Sequence, residues 1–138
     1  MKMLLGLLVV GGGIAAMCHY SGMLHSPTAE CKETMAKMQK CSTMAEVLAV
    51  AEPEKISIYE NYPYTLSNGQ EIDQWKPGPE VNFNRSAIEQ QVKDGVLEGD
   101  FAFIYIYSNS DSFEVRFDPS GNLKRVEKQT GVRNLPGN

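Results

Sequence analysis

Residues 100–118 read DFAFIYIYSNSDSFEVRFD, and this stretch decides the fold. Phe101, Phe103, Tyr105 and Tyr107 share one parity and Ala102, Ile104 and Ile106 the other, which predicts a strand over Asp100–Tyr107. Asn109-Ser110-Asp111 makes a turn, and Ser112–Asp118 resumes the alternation, with Phe113, Val115 and Phe117 set against Glu114 and Arg116. Pro119-Ser120-Gly121-Asn122 is a second turn, and Leu123–Lys128 supplies a third strand. Leu123 and Val126 differ in parity, which predicts a bulge or a frayed edge in that strand. The three strands read as an antiparallel meander with one covered and one wet face. From Thr130 onward, with Pro136 and Gly137, the chain is expected to be loose, so residues 131–138 form a flexible tail.

Working back from the meander, the chain turns helical. Ser26-Pro27 places a capping hydroxyl before a proline at the first helical position, predicting a helix over Thr28–Lys40. Glu30 lies near its positive end and Lys37 and Lys40 near its negative end. Met35 and Met38 share a face, with Cys31 a turn earlier, at the spacing of core packing. Thr43-x-x-Glu46 is a capping box for a second helix, which ends near Ala51 because Pro53 cannot continue it. With only Cys41-Ser42 between them, the helices form a tight hairpin. Lys55–Glu60 alternates Ile56 and Ile58 with Ser57 and Tyr59 and reads as a strand. Residues 61–84 are loop-rich, carrying Pro63, Asn68-Gly69 and Pro77-Gly78-Pro79, with a hairpin signal at Asn68-Gly69. Ser86-x-x-Glu89 is another capping box, opening a short helix that ends around Asp94 before Gly95. The expected fold class is α+β: a helical hairpin packed on a small antiparallel sheet, ordered α-α-β, insertion with a short helix, β-β-β. The domain spans residues 27–130 and its insertion residues 61–99.

The first eighteen residues differ in kind. Lys2 precedes an uncharged apolar run from Met3 to Met17, which ends on Cys18. That layout is a bacterial export signal. The run of about 15 residues spans roughly 23 Å as a helix, against roughly 30 Å of bilayer core. Ala15-Ala16-Met17-Cys18 resembles a lipobox at Ala16 and at the cysteine, while Met17 departs from it. Three readings stay open: acylation at Cys18, a short membrane helix retained through residues 1–18, and a cleaved signal. Residues 19–26 are a linker. The chain is thus expected in the bacterial cell envelope, on the periplasmic side, attached to the outer or the inner membrane.

In an exported protein Cys31 and Cys41 are a natural disulfide candidate, leaving Cys18 as the odd thiol that acylation would explain. Closing so short a loop is worth about 2–3 kcal/mol in the chain-entropy view. Cys18, His19, His25, Cys31 and Cys41 match no common zinc spacing, so no metal and no other cofactor is expected. About 120 residues follow Cys18, the size of one ordinary domain. A net charge of −4 without a basic patch argues against a nucleic-acid partner. The chain contains no Gly-x-Ser-x-Gly, His-Glu-x-x-His or phosphate loop, and it reads as a protein that is not an enzyme.

Ser42-Thr43-Met44-Ala45-Glu46-Val47-Leu48, Glu52-Pro53-Glu54-Lys55-Ile56 and Phe113 to Leu123, with Phe-Asp-x-x-Gly at the turn, occur in an order that resembles the SmpA/OmlA (BamE-like) envelope lipoprotein family. That family shares its fold with β-lactamase-inhibitor proteins. Cys41 stands where the family has a glycine, and the long stretch between the first strand and the aromatic strand replaces a short connection. The resemblance implies a non-catalytic module that props or tunes a larger membrane protein assembly, in the best-known member the one that inserts outer-membrane β-barrels. Two alternatives are a small anchored subunit of an inner-membrane complex and an inhibitor of an envelope enzyme. The candidate partner-binding residues are the aromatics Tyr59, Tyr62, Tyr64 and Trp75, because tyrosine and tryptophan are enriched at binding hot spots.

Overall fold

Ser26 Oγ accepts from the Ala29 backbone N–H at 3.1 Å and so opens the first helix, α1, over Pro27–Met38. A computed structural model describes residues 26–133. The expectations for residues 1–18, for acylation at Cys18 and for most of the linker lie outside the described residues, as does the tail beyond residue 133. Among the described residues no helix is long and apolar enough to cross a membrane.

The second helix, α2, is Met44–Val50. Its cap is the expected Thr43, whose hydroxyl accepts from the Glu46 N–H at 3.3 Å. Glu46 reaches back one residue further than a standard capping box and accepts from the Ser42 N–H at 2.7 Å. The strands follow as β1 (Lys55–Asn61), β2 (Tyr64–Thr65), β3 (Glu71–Ile72), β4 (Trp75–Pro77) and β5 (Val81–Asn82). A third helix, α3 (Arg85–Asp94), precedes β6 (Phe101–Ser108), β7 (Asp111–Phe117) and β8 (Leu123–Lys128). The cap of α3 is Asn84, two residues before the expected Ser86; its side chain accepts from the Ala87 N–H at 3.1 Å. Ser86 lies inside the first turn and donates to the Asn84 side chain instead. Gly95 closes α3 at φ 66°, a conformation that other residues adopt only under strain.

The chain is α+β, with three helices among the described residues. The main sheet is antiparallel in the order β4-β1-β6-β7-β8, and β5 follows β4 along the free edge of β1. The helices cover one face. Cys31, Met38, Val47 and Ile88 meet Ile56 and the rings of Phe101, Phe103, Tyr105, Phe113 and Phe117 there. The Phe101 and Phe117 rings stack at 5.1 Å, and those of Tyr105 and Phe113 at 4.9 Å. The Tyr105 hydroxyl is satisfied by donating to the Ala51 carbonyl at 2.8 Å. The pairing shifts register between Arg116 and Phe117, skipping Lys124, which is the irregularity that the parity of Leu123 and Val126 predicts.

One expectation needs correction. The second face of the meander is not wet along β6, where Ala102 is 0 % exposed and Ile104 2 %. The segment after β4 lies along it, anchored by Ser57 Oγ donating to the Gly78 carbonyl at 2.8 Å. Among the described residues the chain stays anchored as far as residue 133. The Arg133 N–H donates to the Asn109 carbonyl at 2.7 Å, and its guanidinium pairs with Glu80 at 2.9 Å. The inserted residues are likewise integral, since Ile88 of α3 is buried in the core.

Candidate functional site

The four candidate aromatics lie along a β-ribbon that outruns the sheet. The strand register is uniform from Tyr59↔Pro77 and Asn61↔Trp75 to Tyr64↔Ile72 and Thr65↔Glu71. The Tyr62 N–H to Gln74 carbonyl bond, 2.8 Å, bridges the break that Pro63 makes. β1, β2, β3 and β4 therefore form one hairpin arm, turned at Asn68-Gly69 as the sequence signals. β6 pairs with β1 from Lys55 to Ile58, and the Tyr59 N–H donates to the Asp100 carbonyl at 2.9 Å just beyond. From Asn61 to the tip the arm overhangs by roughly 20 Å at about 3.3 Å per residue.

Side chains alternate along this arm, and that divides the candidates. Tyr62 and Tyr64 occupy one face, where the Tyr62 hydroxyl donates to Glu60 at 2.6 Å and Lys76 Nζ lies 5.8 Å from the Tyr62 ring. The Glu60 hydrogen bond holds the Tyr62 phenol in its protonated form and pushes its pKa up. Tyr59 and Trp75 occupy the opposite face. Tyr62 is 51 % exposed, Tyr64 48 % and Trp75 39 %. Tyr59 is a correction: it is 9 % exposed, covered by the Arg116 guanidinium 4.3 Å from its ring centroid. Burial is the main reason its phenol pKa is raised. Alternation alone places Tyr59 beside Ser57 on the second face of the sheet, but exposure depends on what crosses that face.

Tyr59 and Trp75 open onto a cleft of about 300 Å³, lined also by Glu98, Asp100, Arg116 and Lys124. The Trp75 ring rests against Gly99, where any β-carbon would collide with it. At the centre Asp100 Oδ2 accepts from Arg116 Nε at 2.8 Å and from Lys124 Nζ at 2.9 Å. The Asp100 side chain is 12 % exposed and Arg116 is partly covered, while Lys124 reaches in from a half-exposed position. Sequence reading missed the partnership of Asp100, Arg116 and Lys124, which joins the residue before β6 to β7 and β8 and has no local signal.

The expected Cys31–Cys41 disulfide is corrected: both thiols are free. Cys31 lies early in α1 and Cys41 beyond its end, so the helix separates their backbones by about 10 Å. A disulfide needs Cα atoms within about 7 Å. Cys31 faces the core, and Cys41 Sγ donates to the Lys37 carbonyl at 3.6 Å. No protein family, curated protein or solved structure matches this chain.

Proposed function

We propose that this chain is a non-catalytic, membrane-attached accessory module of a larger protein assembly in the bacterial cell envelope, in the manner of the BamE-like lipoproteins it resembles. The observation that carries the reading is the overhanging hairpin arm with exposed tyrosines on one face and Trp75 on the other. A two-stranded ribbon gains little stability in water by itself, and an aromatic-rich ribbon projecting from a rigid sheet is suited to contact with a protein surface. The helical hairpin laid on an antiparallel sheet agrees with the fold that the resemblance implies, although fold alone does not assign function. Attachment through residues 1–18 concentrates the domain near its partner, so modest contacts suffice.

Purification of the full chain from native membranes in mild detergent tests the reading. The expected result is co-elution with a larger complex, weakened by Tyr62→Ala with Tyr64→Ala while the fold persists. Recovery of the wild-type chain only as a free monomer overturns it.

A further inference from the structure

The cleft beside Trp75 has hydrogen-bonding capacity that the fold leaves unspent. Arg116 uses only Nε on Asp100; among the described residues its Nη1 and Nη2 make no hydrogen bond. Trp75 and Tyr59 also line the cleft, and among the described residues neither the indole N–H nor the Tyr59 hydroxyl makes a hydrogen bond. Lys124 donates once and retains further protons. The donors are set on rigid supports: Arg116 is held by its ion pair and by the Tyr59 ring, and Trp75 by Gly99. A guanidinium fixed in this way presents a preformed fork for a carboxylate.

Acceptors are present too. Glu98 lines the same cleft, and Asp100 Oδ1 makes no hydrogen bond among the described residues. With two cations and two carboxylates the lining is balanced, so a bare anion gains little net attraction there. A peptide meets both sets of groups, because its amides donate N–H while an acidic side chain accepts from the fork. The volume is at the small end for ligand pockets, which suits a side chain with its flanking backbone. The net charge of −4 disfavours an anionic lipid surface as the source of the carboxylate or phosphate.

We propose that this cleft recognises an acidic side chain, with an apolar neighbour, in an extended segment of a partner protein. The carboxylate binds Arg116 and Lys124, and the apolar neighbour lies against Trp75. This rests on the accessory-module reading above and adds the chemistry of the segment recognised.

Trp75 is the single tryptophan of the chain, so its emission reports the cleft directly. The full chain in neutral phosphatidylcholine vesicles is titrated with acetyl-Leu-Glu-Leu-amide, acetyl-Leu-Gln-Leu-amide and inorganic phosphate. A further arm adds vesicles containing phosphatidylglycerol. The expected result is a saturable emission change with the glutamate peptide, at least about tenfold weaker for the glutamine peptide and for Arg116→Gln, since a charge-assisted pair is lost. Lys124→Gln, at a half-exposed position, gives the same direction of loss and carries the test if Arg116→Gln unfolds. No emission change with the glutamate peptide up to about 10 mM, a range that covers even weak binding, overturns the proposal. So does equal response to the glutamine peptide, to phosphate or to the anionic vesicles. Peptide binding by a chain recovered free from membranes would overturn the accessory role and keep the cleft. Co-purification that survives Arg116→Gln, with no peptide response, would do the reverse.

Discussion

The Trp75 ring lies across Gly99, so close that the smallest side chain at residue 99 would strike it. This contact fixes one wall of the cleft and joins the root of the hairpin arm to the loop between α3 and β6. Gly99 does not adopt a positive φ, so an alanine is acceptable to the backbone and only the indole must move.

Gly99→Ala is therefore expected to destabilise by about 1 kcal/mol, the low end for overpacking, because a single side chain has to move. It should shift Trp75 emission to the red as the ring swings toward water. Chemical denaturation and fluorescence of the same sample check both parts. An unchanged emission maximum would show that the indole does not depend on Gly99.

Asp111 links α1 to the β6–β7 turn, accepting from Ser108 Oγ at 2.7 Å and Thr28 Oγ1 at 3.0 Å, with Lys128 Nζ at 3.5 Å. The Ser108 hydrogen bond, followed by that from Thr28 and the charge of Lys128, holds its pKa below the ordinary carboxylate value. Asp118 is lowered in the same direction, first by the Asn122 N–H. For a depressed folded pKa the unfolded chain binds protons first as pH falls, so the stabilisation is complete above the unfolded value, about 4. It is lost as pH drops below that value and through the folded pKa. Urea midpoints measured from neutral pH into acid should fall below about pH 4, and Asp111→Asn should flatten part of that decline. An acid limb of equal steepness in the variant would contradict the assignment.

Thr43→Ala removes the acceptor for the Glu46 N–H and should cost about 1 kcal/mol. Glu46→Gln keeps a side-chain acceptor for the Ser42 N–H but loses its charge near the helix start, so its cost should be smaller. Denaturation of the two variants checks the ranking.

Cys41 is partly exposed and Cys31 is buried, and burial is the first cause of the raised pKa of each thiol. In a Cys18→Ser background, alkylation of the native protein at mildly alkaline pH should label Cys41 and leave Cys31 until the chain unfolds. Protection of both thiols in unreduced, denatured protein would restore the disulfide.

The elements legible in the residues are those whose signals are local. Ser26-Pro27 and Thr43-x-x-Glu46 satisfy N–H groups within their own first turns, and period-two alternation specified β1, β6 and β7. Asn68-Gly69 marked the tip of the arm, and the parity break after Leu123 marked the bulge. What covers each face follows from contacts between segments far apart in the chain. Alternation says that Ala102 and Ile104 point away from Phe103, but their burial depends on the segment after β4, which the chain returns to the sheet by bonds such as Ser57 to Gly78. The union of Asp100 with Arg116 and Lys124 depends equally on strand register across a bulge, because Coulomb attraction and hydrogen bonding act through space and leave no periodicity in the chain. Cys31 and Cys41, close in sequence, are held apart for a local reason, the rise of the helix that the Ser26-Pro27 cap already marks.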